Sequence, residues 1–418
     1  MRTKHDYPIG TPGVPWGIDE RWTWLASRRK RRDRDYRAAI CARMSSSSTS
    51  SSSSSFDGDE DHDCHRSDIA GFVPIVYGTL EVKDEDGSNV EEYPLLAYVS
   101  ENASFLRPRS SSGEEGGGRG MTSGSDGGGI CGGGGKKPAV LITGGVHGYE
   151  TSGIFGAMHF LTSGLAGGRY SRHYDIVVVP CVSPWGYEYN ERWTARAIDP
   201  NRSFRPSTED DPNPTRTEES SKLISFLNRL GRTPNIGEDD GEDEYEEDGT
   251  MIRNGPDWLC HVDLHETTDT DVTEYRPARA ARDGQLDFDD RIPDGFYLFG
   301  AVDDDDNDNG GSNNCVREFY DAILSGVEGS GTHLAEVEND GTLCGYKATR
   351  RGLLLLSRSA CANMGICAGG ALPNVPYAVT TEAYPDSCRT SGEDCVNAQV
   401  EAICAALDFL IDGGVVPR

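Results

Sequence analysis

The stretch "PAVLITGGVHGYETSG" (residues 138–153) decides the fold of this chain. Its first half is a continuous apolar run, which is typical of a β-strand covered on both faces in a parallel sheet. The run breaks into two glycines and then presents His147 and Glu150, three residues apart. A helix-compatible segment, residues 152–165, follows directly. Strand, glycine turn and helix together predict a βα unit with polar side chains at the carboxyl end of the strand.

The same alternation of β-like and helix-compatible runs continues along the chain. The predicted strands are residues 94–100, 138–145, 174–184, 258–266 and 377–385, and the predicted helices are 152–165, 221–230 and 394–411. This order predicts an α/β fold. We expect a single large domain with a central mixed, mostly parallel sheet flanked by helices.

Four biased segments interrupt this pattern and cannot bury a core. They are the Ser/Asp-rich stretch 45–63, the Gly/Ser-rich stretch 108–136, and the acidic tracts 234–250 and 303–314. We expect an N-terminal extension over residues 1–70, with a helix and the first of these segments, and a main domain over residues 71–418 that carries the other three. The basic run "RRKRRDRDYR" (28–37) is interpreted as a helix surface, with a targeting role as the alternative.

The net charge and the hydropathy of the sequence limit which binding partners and which cellular location we expect. Among 418 residues, 40 are Lys or Arg and 69 are Asp or Glu, for a net charge of −29. Such acidity argues against nucleic-acid and anionic-membrane partners, since both need a positive face. No apolar run approaches the roughly 20 residues of a membrane span, and the N-terminus lacks the apolar centre of a secretory signal. A soluble, cytoplasmic protein is therefore expected.

The twelve cysteines show no CxxC spacing. Most are interpreted as buried thiols. Four late cysteines lie close enough in sequence to permit a disulfide, which leaves a secreted location open. They are Cys361, Cys367, Cys388 and Cys395.

His147 and Glu150 are candidate metal ligands. A catalytic zinc usually takes three ligands from His, Glu, Asp or Cys and keeps one position open. "HVDLHET" (261–267) offers a third ligand, His265, at the end of another predicted strand and with 114 residues between it and Glu150. His261 lies on the same strand face and stays as the alternative. Mixed nitrogen and oxygen ligation makes zinc the first choice of metal.

These residues resemble the zinc carboxypeptidases related to carboxypeptidase A, a superfamily that also holds aspartoacylase and succinylglutamate desuccinylase. The resemblance extends from about Tyr93 to the C-terminus, interrupted by the insertions. It implies that His147, Glu150 and His265 hold one zinc ion per chain. It also implies that residues 71–418 form a zinc-hydrolase catalytic domain.

"SPWGYEYNERWTARAIDPNRSF" (183–204) is similar to the family stretch in which an arginine precedes an Asp-x-Asn-Arg group. The resemblance assigns Arg192 to polarising the scissile carbonyl and stabilising its oxyanion. It assigns Asn201 and Arg202 to binding the free carboxylate of the substrate. The chain departs from the family's usual Asn-Arg-Asn by carrying Ser203 after the arginine.

Two further roles come from the resemblance. Asp199 is implied as the acid that orients His147, and Glu382 in "VTTEAYP" is implied as the general base. Asp386, which follows in a turn, is the weaker candidate for that base. The family's capping tyrosine is left open among Tyr275, Tyr346 and Tyr377.

Three alternative functions follow, the first two from the resemblance and the third from a different class of protein. The first is a zinc carboxypeptidase that releases a C-terminal amino acid from a peptide. The second is an N-acyl amino-acid deacylase like aspartoacylase. The nine positions from Arg192 to Asn201 resemble the bacterial murein-peptide carboxypeptidases more than the aspartoacylases, which favours the first. The third is a zinc-binding interaction protein without turnover, which the presence of both Arg192 and Glu382 disfavours.

Overall fold

The computed structural model describes residues 2–4, 7–45, 69–106, 137–205, 215–230, 255–302, 312–348, 350–361, 365–369, 372 and 375–416. Its strands are β1 Arg2–Lys4, β2 Phe72–Lys83, β3 Val90–Ser100, β4 Ala139–Gly144, β5 Asp175–Val179, β6 Trp258–Glu266, β7 Asp287–Asp289, β8 Tyr297–Val302, β9 Thr342–Leu343, β10 Tyr346–Lys347, β11 Leu353–Ser357 and β12 Tyr377–Ala383. Its α-helices are α1 Ile18–Ser27, α2 Tyr36–Ser45, α3 Thr151–Thr162, α4 Pro184–Tyr189, α5 Glu218–Arg229, α6 Arg276–Arg282, α7 Ser312–Gly329, α8 Arg358–Cys361, α9 Ile366–Gly369 and α10 Gly392–Asp412. Four shorter helical segments are Ser104–Leu106, Leu165–Tyr170, Pro200–Arg202 and Asp271–Tyr275.

Eight strands form the main sheet, in the order β11-β8-β12-β6-β4-β5-β3-β2. The four central strands β12, β6, β4 and β5 are parallel to one another. At the flanks, β8 is parallel to β11 but antiparallel to β12, and β3 is antiparallel to both β5 and β2. The predicted mixed, mostly parallel sheet is confirmed.

Buried, apolar strands form the centre of this sheet. Every residue of β4 and β5 is buried, because helices cover the sheet. Helix α10 packs on both α3 and α7, and each of the three also contacts a central or neighbouring strand. The parallel arrangement brings the carboxyl ends of β4, β6 and β12 to one edge of the sheet, where the site lies.

The N-terminal segment shares the main core. Trp16, Trp24, Tyr36 and Ile40 belong to the same buried cluster as the sheet. The basic run is not the helix surface that the sequence predicts. Helix α1 ends at Ser27 and α2 begins at Tyr36, so most of the run connects two helices.

The predicted elements agree with the structure, with shifts at their ends. The largest shift is at 174–184, where β5 ends at Val179 and α4 begins at Pro184. Most of the four biased segments lie outside the described residues, although residues 312–314 begin α7. The four late cysteines are thiols, so the disulfide that their spacing permits does not form among them. In the described part of the chain, no helix is both long and apolar enough to cross a membrane.

Candidate metal centre

The loop after β4 is shaped by glycines that leave no room for a side chain. Gly145 has φ +58°, a conformation that favours glycine. A Cβ on Gly148 would lie 2.0 Å from the backbone nitrogen of Tyr187, so the loop packs directly on α4. This close packing holds His147 and Glu150, each 1% exposed, at the end of the strand.

Glu150 lies between the two histidines. One carboxylate oxygen is 2.7 Å from His147 Nδ1, and the other is 2.7 Å from His265 Nδ1. The two imidazole rings are 4.9 Å apart between centroids. The structure therefore brings together side chains from two distant parts of the sequence.

A second carboxylate faces the other nitrogen of each histidine. His147 Nε2 lies 3.0 Å from Asp199, and His265 Nε2 lies 2.8 Å from Asp263. A histidine whose Nε2–H donates to a carboxylate is fixed in orientation and presents Nδ1 as a ligand atom. Both Nδ1 atoms point to the same place, beside Glu150.

The donor set fits a divalent metal ion. One ligand atom each from His147, Glu150 and His265 lies within 4.8 Å of the others, and all three residues are buried. Two imidazole nitrogens and one carboxylate oxygen make a known catalytic zinc set. Burial acts to raise the pKa of Glu150, but the two histidines outweigh it and hold that pKa below its ordinary value. The carboxylate is thus kept ionised, as a metal ligand must be.

Arg192 is held beside this set by acidic and phenolic groups. Its guanidinium lies 3.3 Å from Asp199, 3.3 Å from Asp271 and 3.5 Å from Glu150. It also donates to the Tyr149 hydroxyl at 3.3 Å. Although burial acts in the other direction, Asp199, Tyr149 and Asp271 raise the pKa of Arg192 well above its ordinary value. Arg192 is therefore a fixed positive charge.

Asn201 and Arg202 differ in how open they are to a ligand. Asn201 is buried, and its amide oxygen accepts from the backbone N–H of Ile366 at 2.9 Å. Arg202 is exposed and bonds to the carbonyl of Asn201 at 3.0 Å. Both line the same pocket, but Asn201 is partly engaged in holding the α9 segment.

Glu382 forms part of the pocket wall, together with His147 and Arg192. It is the register partner of His265 on the neighbouring strand, and its carboxylate accepts from Thr267 at 3.0 Å. Desolvation raises the pKa of Glu382 to about 8, and the nearby Glu150 and Asp271 carboxylates act in the same direction.

The competing residues lie in other surroundings. His261 Nε2 is 2.9 Å from Thr143 Oγ1, and burial lowers the pKa of His261 to about 4. Asp386 accepts from the backbone N–H of Asp269. Tyr275 is buried and donates to a backbone carbonyl, and Tyr377 packs on Phe319. Tyr346 packs edge-on against the pocket residue Phe299, so of the three tyrosines it lies against the pocket wall.

Sequence reasoning missed three residues of this site. Tyr149 and Asp271 contact Arg192, and Asp263 contacts His265. Tyr149 directly precedes the predicted ligand Glu150 in the sequence. Asp263 comes two residues before His265, so alternation along the strand was a usable signal that both lie on the same face. Asp271 lies 79 residues from Arg192 and gives no local signal.

The fold and the histidine–glutamate–histidine group fit an enzyme of metallohydrolase type. Residues 136–235 match the profile of the succinylglutamate desuccinylase/aspartoacylase catalytic domain. This match covers about a quarter of the chain and includes two of the three candidate metal ligands, His147 and Glu150. No protein of curated function matches the chain significantly.

Several solved structures are distantly similar to the chain. A candidate metallopeptidase from Shewanella amazonensis is 14% identical, with a TM-score of 0.46 over 81% of this chain and 87% of the other. A metallo-carboxypeptidase from Burkholderia cenocepacia is 13% identical, with a TM-score of 0.43 over 82% and 66%. The ectoine utilization protein EutE (DoeB) from Ruegeria pomeroyi is 13% identical, with a TM-score of 0.40 over 81% and 66%.

Proposed function

We propose that this protein is a zinc-dependent hydrolase that cleaves an amide bond next to a free carboxylate, with a carboxypeptidase reaction as the first candidate. One observation carries the proposal. The buried histidine–glutamate–histidine set adjoins a pocket that also holds Arg192, Arg202 and Glu382. Metal ligands, two guanidinium groups and a carboxylate of raised pKa are the groups that this reaction needs.

His147, Glu150 and His265 would hold the zinc ion, one per chain. When bound, zinc activates water and polarises a carbonyl group. The protein's own contribution begins with Asp199 and Asp263, which fix the two imidazoles so that each presents Nδ1.

Arg192 and Arg202 would each stabilise a different negatively charged group of the substrate. Arg202, exposed at the pocket, is suited to a bidentate pair with the substrate carboxylate. Arg192 is fixed by its acidic neighbours, so it can stabilise charge on the scissile carbonyl oxygen without reorganising.

Glu382 is the proposed proton carrier. Its raised pKa suits a group that takes a proton from the attacking water and passes it to the leaving amine. A divalent cation bound nearby would lower that pKa, because it stabilises the carboxylate form. Glu382 would then work as a base near neutral pH.

The pocket lining favours a carboxypeptidase that accepts an uncharged side chain. The described residues that line it include Phe299, Ala301, Cys361, Cys367 and Ala378, and its basic members are His147, Arg192 and Arg202. With one arginine on the carboxylate and the other on the scissile carbonyl, none of these basic groups is left to pair with a second carboxylate. The family match to desuccinylases and aspartoacylases supports the deacylase as the second candidate.

A substrate panel tests both candidates. The zinc-loaded protein would be incubated with short peptides ending in neutral or acidic residues, and with N-acetyl and N-succinyl amino acids. We expect release of neutral C-terminal residues from peptides. Release only from acyl-aspartate or acyl-glutamate would favour the deacylase, and no release from any of them would refute the proposal.

A further inference from the structure

The two residues that flank Arg192 are both held by the N-terminal segment of residues 7–45. On one side, Glu191 pairs with Arg28, whose Nη1 lies 3.0 Å from the carboxylate. On the other, the Trp193 ring lies 5.5 Å from that of Trp24 and 6.3 Å from that of Trp16. Trp193 is 1% exposed, and these two rings contribute to its burial together with the Arg282 guanidinium, which lies 4.5 Å from the ring centroid.

Arg28 also reaches the second element that holds Arg192. The same Nη1 atom lies 3.1 Å from Glu274, which belongs to the short helical segment Asp271–Tyr275. The first residue of that segment, Asp271, contacts the Arg192 guanidinium at 3.3 Å. Arg28 therefore bridges the segment that carries Arg192 and the segment that carries one of its acidic partners.

The N-terminal segment holds the neighbouring helix α4 as well. The backbone N–H of Arg31 donates to the Glu188 carbonyl at 2.7 Å, and that of Tyr36 donates to the Glu188 carboxylate at 2.8 Å. Trp24 also packs on Trp185, with 6.3 Å between the ring centroids. Residues 185–193 are thus covered along their length by one continuous piece of chain.

We propose that the N-terminal segment positions Arg192 for catalysis, with Arg28 and Trp24 as the positioning residues. The inference rests on the proposed function for the role of Arg192 itself. Stabilisation of a developing charge depends on where the guanidinium stands, and a misplacement of about 1 Å can cost about a hundredfold in rate. Arg28 lies far from the metal ligands in sequence and contacts none of them through the bonds described above, so its loss leaves the zinc set in place.

The test compares Arg28→Gln with Arg28→Lys and with the control Arg31→Gln. Arg31 pairs with the exposed Asp33, so its substitution removes a similar charge from the same segment without touching the bridge. For Arg28→Gln we expect a kcat about tenfold lower, with the KM and the zinc Kd within about twofold of the unchanged protein. Arg28→Lys restores most of the kcat because it keeps the charge between Glu191 and Glu274.

Hydrogen exchange measured by mass spectrometry supplies a readout that does not depend on turnover. Arg28→Gln should speed amide exchange over residues 186–199 and leave the peptide containing His265 unchanged. If Arg28→Gln does not fold, Glu274→Gln takes its place in the test. Glu274 is partly exposed, and its substitution loosens only one end of the bridge, so we expect kcat to fall about threefold. Unchanged exchange and kcat in the variants that fold, or a zinc Kd that rises in step with the fall in kcat, would overturn the proposal. If the unchanged protein hydrolyses nothing, the proposed function fails, and the exchange data alone decide whether Arg28 holds the segment.

Discussion

Replacing Asp199 by Asn is expected to weaken zinc binding about ten- to a hundredfold and to leave the fold intact. Asp199 faces His147 Nε2 at 3.0 Å and Arg192 Nε at 3.3 Å. Burial acts to raise the pKa of Asp199, but Arg192 and His147 hold it well below its ordinary value, so the carboxylate is ionised. The amide of Asn keeps an oxygen that can accept from His147, but it loses the charge.

The magnitude follows from what is lost. A tenfold to hundredfold change in zinc affinity corresponds to about 1.4 to 2.7 kcal/mol, a typical value for removing the charged partner of a ligand histidine. A second loss comes from Arg192, because the amide nitrogen of Asn would face its Nε and two donors cannot pair. We therefore expect kcat to fall in the fully zinc-loaded variant as well.

The assay is competition for zinc between the protein and a chromophoric chelator, followed by steady-state kinetics at saturating zinc. Asp33→Asn is the matched control, because Asp33 pairs with Arg31 on the exposed surface. Circular dichroism checks that both variants are folded. A zinc Kd for Asp199→Asn within twofold of the unchanged protein would show that Asp199 does not set the orientation of His147.

Three further predictions test separate parts of the structure. Glu382→Gln should keep one zinc per chain and lower kcat about a hundredfold or more, measured by metal analysis and peptide hydrolysis, and retained activity would remove Glu382 from the mechanism. Gly148→Ala should lower the Tm and the zinc affinity, because its Cβ would meet α4 at 2.0 Å, whereas the control Gly168→Ala meets nothing within 4 Å and should do neither. Burial raises the pKa of Glu219 to about 7. The protonated side chain therefore stabilises the fold fully at pH values below its ordinary pKa of 4.5, and that stability is lost as the pH rises to about 7. Glu219→Gln should therefore remove about 3 kcal/mol of the difference in unfolding free energy between pH 5 and pH 8, measured in urea, and an unchanged difference would contradict the reasoning.

The sheet and the candidate ligands were accessible from the sequence because each depends on a short local pattern. The apolar run of β4 and the glycines after it predict both the strand and the turn that places His147 and Glu150. The position of His265 at the end of another strand follows from the same rule, since parallel strands end at one edge of the sheet. Local patterns thus suffice where the site is built on strand ends.

The N-terminal segment shows where local patterns fail. The run after Ser27 carries the alternating charge of an exposed helix, yet Arg28 and Lys30 pair with acids more than 150 residues away. Nothing in the spacing of basic residues identifies Glu191 or Glu188 as partners. Tryptophans at 16 and 24 pack on Trp193 for the same long-range reason. Such contacts depend on the tertiary fold and leave no periodic signal in a single sequence.

The charge around the candidate ligands explains why this place suits a cation. Four carboxylates, Glu150, Asp199, Asp263 and Asp271, lie within one connected network of buried bonds, and Arg192 offsets one of them. Burial acts to lower the pKa of His265, but Asp263 and Glu150 raise it well above its ordinary value. The protonated imidazole therefore offsets the charge of a second carboxylate. A buried surplus of negative charge is costly unless it is compensated. A divalent cation that displaces this proton brings more positive charge to the same place, which links the stability of the fold to occupation of the site.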